Sequence, residues 1–345
     1  MANYGYLNAR VRGMRSRLVA PGFVDQVLAG GGFEAFAAAL AQTGYATDLE
    51  ATRAAGGVSL PAVDRAIGDN FRRTAQTLLR YADGGAERLV GILLRRYDVA
   101  NLKAVARAFH AGKAGADRGD GSTSAADDVL SATLPVGALG SATLRTMAQA
   151  TDLAAAAQAL VVAGHPLAGA FRDAAAGYAK DGDLFRLELR LDQEHHASVL
   201  RDARRAGAPA PFHAYLALEV DATNLRTAVK LRGRDLDAEA CFVPGGTSLS
   251  KAQFLQIAAG AASDPLPELR GPFAGAREHA GELEGWLRAA VERAAKGLTA
   301  DPLDIGLVTH FLRAKEREAA TLRLLARGTF YGVGADTLRR ELGHA

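Results

Sequence analysis

Glu188, Asp192, His195 and His196 are the side chains whose types and spacing come closest to a metal-binding set. On a helix Glu188, Asp192 and His195 fall within about 60° of one another, so carboxylate and imidazole donors share one face. A di-metal helical bundle also needs a carboxylate-x-x-His pair from a second helix. Glu341 with His344 is the one remote match, interrupted by Gly343. The run therefore reads as a charged, solvent-facing helix surface, and no metal ligands are assigned. His110, His165, His213, His279 and His310 are scattered without ligand spacing. Cys241, the single cysteine, has no neighbour in sequence that marks an activated thiol.

Other chemistries leave no mark. There is no Walker-type phosphate loop, no dinucleotide fingerprint and no Gly-x-Ser-x-Gly elbow. Gly30-Gly31-Gly32 has the composition of a phosphate cradle but reads as a flexible turn between helices. No catalytic residue and no cofactor-binding residue is assigned.

One helical phrase is written three times: Tyr97 to Lys103, Val220 to Arg226 and Arg317 to Arg323. Each copy carries an acid (Asp98, Asp221, Glu318), a small polar group three residues on (Asn101, Asn224, Thr321), a leucine, and a cation (Lys103, Arg226, Arg323). Acid and amide share a helical face, whereas acid and cation point about 140° apart, so the cation must find its partner elsewhere. Asparagine competes for backbone hydrogen bonds and is a mediocre helix former, so Asn101 and Asn224 in mid-helix suggest partners outside the helix. A plain solvated face would account for any one copy; architectural ties to neighbouring helices account better for all three.

The elements around the phrase repeat as well. Helix-like runs precede each copy, Asp69 to Tyr81, Leu184 to Arg205 and Leu283 to Lys296, and a Gly-containing loop with an apolar run follows the first two. The N-terminus supplies the same downstream half, with Asn8-Ala9-Arg10 in place of Asn-Leu-Lys. The phrase helices are expected over about Ala86 to Phe109, from near Pro211 to Arg232, and from Pro302 to Gly328. The last has Asp301 as N-cap and a length of about 39 Å. Gly112 to Ser124 and Ala54 to Ser59 read as loops, and Asp264 to Pro272 as a folded connection. No period-2 pattern persists long enough for a sheet, so the fold class is all-α. It is organised as three similar helical repeat units, 1–107, 108–232 and 233–345, whose boundaries interleave.

With 345 residues the chain can bury a substantial core. Its formal net charge of +3 arises from 41 cations against 38 acids, a mixed surface that offers nucleic acid no basic field. Arg10, Arg12, Arg15 and Arg17 spread around one helix and read as a solvated or interface-facing surface. The lone cysteine excludes an internal disulfide and fits a reducing compartment. The opening residues do not read as a signal peptide, and no stretch reaches the roughly 18 apolar residues of a bilayer span. A soluble chain is expected.

Three segments resemble the C subunit of bacterial and archaeal V/A-type ATPases, whose eukaryotic counterpart is the d subunit. They are Tyr6-Leu7-Asn8-Ala9-Arg10-Val11-Arg12, Leu216 to Arg226, and Asp301-Pro302-Leu303 through Lys315 to Arg323. Thr321 departs from the Asn usual in that family's last phrase and lacks the amide donors. The resemblance implies a funnel of three helical units around a pseudo-threefold axis, seated on the membrane proteolipid ring and holding the central-stalk subunits D and F. It implies a non-catalytic rotor part at the cytoplasmic face of the membrane, transmitting torque for proton or sodium transport. Asn8, Arg10 and Arg12 join the residues of the three phrases as structural or interface candidates. A generic helical-repeat scaffold is the competing reading, and a metal- or lipid-dependent helical enzyme a third.

Overall fold

The computed structural model describes residues 4–53, 58–112 and 125–343, and every regular element among them is helical. In chain order the first helices are α1 (Gly5–Arg15), α2 (Phe23–Gly30), α3 (Gly32–Leu40), α4 (Ala46–Arg53), α5 (Leu60–Tyr81) and α6 (Gly84–His110). Then come α7 (Ala125–Ser131), α8 (Ser141–Ala148), α9 (Leu153–Val162), α10 (Ala168–Asp181), α11 (Leu184–Arg205) and α12 (Ala210–Leu231). The chain finishes with α13 (Ala238–Cys241), α14 (Lys251–Ala258), α15 (Leu283–Gly297), α16 (Gly306–Phe330) and α17 (Ala335–Gly343). The loops expected at Gly112 to Ser124 and Ala54 to Ser59 lie largely outside the described residues.

The helices fall into two compact units. One combines both ends of the chain, Met1–Ala86 with Gly281–Ala345; the other is Glu87–Ala280. In the first, α16 is the central strut, packed on α5, α3, α1, α15 and α17. Its buried Leu307, Val308, Phe311, Leu312, Leu322, Leu325 and Ala326 recur at helical spacing. α5 meets it with Val63, Ile67, Phe71 and Leu78 and is started by Ser59, whose side chain accepts the Ala62 N–H.

In the second unit α8, α9, α10, α11 and α12 pack each on the next. Leu102 and Val105 of α6 share one core with Leu144, Leu160, Phe171 and Leu191. Asp152 and Asp183 cap α9 and α11, and α14 begins with a reciprocal Ser250–Gln253 capping box. α12 buries Phe212, Tyr215, Leu216, Leu218, Val220 and Leu225, residues that spread around its axis, as an interior helix must.

The third phrase helix differs from its sequence expectation at both ends. Asp301 does not cap it: its Oδ1 accepts the Leu303 N–H at 2.8 Å in a turn, and the helix begins at Gly306. The cause is Asn8, whose amide nitrogen donates to the carbonyls of Pro302 and Asp304, both at 2.9 Å, and holds that backbone out of helical register. At the other end Gly328 lies inside the helix. The closing glycine is Gly332, at φ 69°, with the Val333 N–H donating to the Gly328 carbonyl.

Gly328 has a packing role instead. A Cβ there would approach Leu338 of α17 to 2.3 Å, so the glycine is the seat on which α17 rests. Replacing Gly328 with valine should cost about 1–3 kcal/mol by overpacking. The expected readout is faster amide hydrogen exchange in 335–343, with protection of α5 unchanged.

Candidate functional site

In the first phrase α6 buries Asp98 and Asn101, at 1% and 2% exposure. They grip one non-helical segment, Leu134 to Leu139, just before α8. Asn101 makes a two-bond clamp: its Nδ2 donates to the Leu134 carbonyl at 2.9 Å and its Oδ1 accepts the Leu134 N–H at 2.7 Å. One turn earlier Asp98 accepts the N–H groups of Ala138 at 3.0 Å and Leu139 at 3.1 Å. His165 closes the site, with Nε2 3.1 Å from Asp98 Oδ2. The Leu167 N–H donates to His165 Nδ1, so the imidazole proton is on Nε2 and is given to the carboxylate.

The second phrase repeats this on α12. Asn224 donates to the Val243 carbonyl at 2.7 Å and accepts the Val243 N–H at 2.9 Å. Asp221 accepts the N–H groups of Thr247, Ser248 and Leu249 at 2.8, 2.7 and 3.1 Å. A third backbone donor does here what His165 does at Asp98. Burial pushes the Asp221 carboxyl above the usual carboxylate range, and the hydrogen bonds from Ser248, Thr247 and Leu249 oppose that shift. Glycine is demanded at both sites: a Cβ on Gly137 would lie 2.3 Å from Asp98 Oδ1, and one on Gly246 would lie 1.8 Å from Asp221 Oδ1.

The third phrase does the task with other groups. Glu318 Oε2 accepts the Val19 N–H at 2.6 Å, across 299 positions of sequence. Its Oε1 accepts the Tyr45 hydroxyl at 2.7 Å and the Lys315 ammonium at 2.5 Å. Lys315 also donates to the Tyr45 hydroxyl at 3.0 Å and is only 5% exposed. Burial lowers the Lys315 pKa against the pull of Glu318, and burial, then Glu318, raises that of Tyr45. No asparagine amide stands at Thr321, which is half-buried. The downstream helices α2, α8 and α14 are each eight residues long.

The cations diverge. Lys103 reaches Asp192 of α11 at 2.6 Å, between Arg95–Asp202 at 2.7 Å and Arg107–Glu188 at 2.6 Å. These pairs run in opposite directions along the two helices, an antiparallel ladder. Arg96 adds a tie from α6 to Glu219 of α12 at 3.1 Å. Arg226 is half-buried and engaged, and Arg323 is half-buried within electrostatic range of Tyr45. On α1, Arg10 lies over the rings of Tyr6 and Tyr81, with its guanidinium carbon 5.3 and 4.5 Å from their centroids. Arg12 is exposed.

The ladder corrects the reading of Asp192, His195 and His196 as a solvent-facing set. Asp192 and Glu188 are committed to Lys103 and Arg107, and both histidines are half-buried. Helical spacing groups residues on a face without saying which face is packed. No cluster of His, Cys, Asp and Glu among the described residues has metal-holding geometry. Sequence reasoning missed His165, Lys315, Tyr45 and the two glycines. The glycines had a readable signal: Leu134-Pro135 and Val243-Pro244 each precede a glycine by one or two residues.

Comparison with known proteins then decides the family. The chain matches the ATP synthase (C/AC39) subunit family over residues 7–341. The chain belongs to that family. The C subunit of the V-type ATP synthase of Deinococcus radiodurans is 37% identical over 344 residues, 99% of this chain and 91% of the relative. That of Thermus thermophilus is 36% identical over 343 residues, 99% and 98% of the two chains. The C subunit of the A-type ATP synthase of Haloquadratum walsbyi is 28% identical over 296 residues, 81% of each. For this C/AC39 chain, then, the buried polar groups of the phrases bind its own backbone.

In the C/AC39 chain these contacts set what replacing their members should cost. Asn224→Ala strips partners from a buried N–H and a buried C=O and should cost about 2 kcal/mol or more in urea denaturation. Gly246→Ala should be at least as damaging, and Arg172→Ala, at an exposed pair, should stay within about 0.5 kcal/mol. The histidines set a pH response. Burial first, then neighbouring charges, lowers both pKa values, that of His196 to about 4. For His195 those charges are His196, Arg96, Arg95 and Lys103; for His196 they are Arg96 and Lys103. Below pH 6.5 the unfolded chain therefore binds more protons, so stability present above 6.5 is lost as pH falls toward 4. The urea midpoint should drop less over that window in the His195→Gln/His196→Gln double variant than in the wild type.

Proposed function

We propose that the chain is a non-catalytic central-rotor subunit of a V/A-type rotary ATPase or ATP synthase. It links the central-stalk subunits D and F to the membrane proteolipid ring, at the cytoplasmic face, and carries torque between them. The observation that carries this reading is family membership over residues 7–341. The buried carboxylates and amides support it, being spent on holding helices and loops in fixed register. No helix among the described residues is long and apolar enough to cross a membrane. That suits attachment to a membrane sector from outside the bilayer. The three-repeat organisation, 1–107, 108–232 and 233–345, belongs to the same proposal and rests on the three phrases.

The test is affinity purification of the tagged chain from detergent-solubilised membranes at low salt. Proteolipid and stalk subunits should come with it; a chain that stays free of both at micromolar concentration defeats the reading. Reversing the exposed Arg12 to glutamate should lower ATP-driven ion pumping. Hydrolysis by the detached catalytic head should be unchanged, because the chain supplies coupling and no chemistry.

A further inference from the structure

Leu303 stands out among the exposed apolar side chains because the loop that carries it is pinned. It is 69% exposed, in the turn between α15 and α16. Asn8 holds the carbonyls on either side of it, those of Pro302 and Asp304. Asp301 accepts the Leu303 N–H, and Asp304 accepts the Ile305 N–H at 2.6 Å. Behind the turn Ile305 is fully buried, and a Cβ on Gly306 would meet the Leu298 carbonyl oxygen at 2.0 Å, so the turn is braced directly on backbone. The arrangement is kept against a cost to stability, since Asn8 Oδ1 is buried without a partner, whereas Asn101 and Asn224 use both ends of their amides. An apolar side chain carried on a backbone already fixed costs little further backbone entropy on binding, which suits an interface anchor.

The flanking charges say what kind of surface it meets. Asp301 and Asp304 stand on either side of Leu303, and neither is paired with a cation among the described residues. Two unneutralised carboxylates are repelled by an anionic bilayer and attracted to a basic rim. We propose that Leu303 is the anchor of a subunit interface, seated in an apolar pocket edged by lysine or arginine on another subunit of the ATP synthase. This rests on the assembly reading above.

The experiment is binding of the tagged full-length chain to detergent-solubilised ATP synthase lacking it. Leu303→Asp should lower the apparent affinity by about tenfold or more, with the thermal midpoint unchanged, because Leu303 contributes no core packing. Asp301→Asn keeps the acceptor for the Leu303 N–H and removes the charge. It should weaken binding by a smaller factor and flatten its salt dependence. If the wild type binds and Leu303→Asp binds equally well, the anchor is overturned and the assembly reading stands. If the wild type binds no subunit, the assembly reading falls and takes the anchor with it. Flotation with phosphatidylglycerol vesicles that depends on Leu303 would overturn the protein pocket in favour of a lipid surface.

Discussion

A carboxylate buried in mid-helix is tolerable only where hydrogen-bond donors replace its water, and backbone N–H groups of a bent loop are the donors used here. Asp98 and Asp221 each fix where a following loop crosses their helix, and the asparagine one turn on fixes that loop's register at a second point. Two points define an orientation. The short helices α8 and α14 therefore leave their loops in directions set by side chains on α6 and α12, and apolar packing fills in around a frame already determined. Small glycines are part of the same constraint, because the carboxylates sit against the loop backbone with no room for a methyl group.

The copy on α16 shows what the arrangement requires and what it can vary. A carboxylate still takes a backbone N–H, but glutamate reaches further than aspartate, and the space that the longer arm opens is filled by Lys315 and Tyr45. A buried lysine is a weak contributor to net stability, yet removing one partner would strand the other charge. What sets register between the two chain ends is the set of bonds leaving this pair, from Glu318 to Val19 and Tyr45 and from Lys315 to Tyr45. His165 beside Asp98 is a milder version: one side chain stands in where the second copy has a backbone donor.

Much of this is legible in sequence, for physical reasons that can be named. Asparagine at Asn101 and Asn224 contradicts local helix preference, so an outside partner is implied, and the existence of each phrase helix follows from apolar spacing. The aspartates are visible as repeats, but the loop they grip is not, because a hydrogen bond to backbone leaves no mark on the side chains of the loop. Only the glycines record the close approach. The extent of α16 escapes a sequence reading because Asp301-Pro302 is a sound local helix start, and Asn8, nearly 300 residues away, overrides it. Asp192, His195 and His196 read as solvent-facing because periodicity cannot tell the packed side of a charged helix from the wet one; cations on α6 make that side a polar interface.

The bond from Val19 to Glu318 has a consequence for biogenesis. The two groups leave the ribosome 299 residues apart, which at about 5–20 residues per second is a delay of roughly 15 to 60 s. Throughout that interval α1 to α5 lack α16, so the faces of α1, α3 and α5 that pack on that strut are without it. The Glu87–Ala280 unit is meanwhile synthesised in full. The order of synthesis thus predicts that the 87–280 unit closes before the unit built from both chain ends.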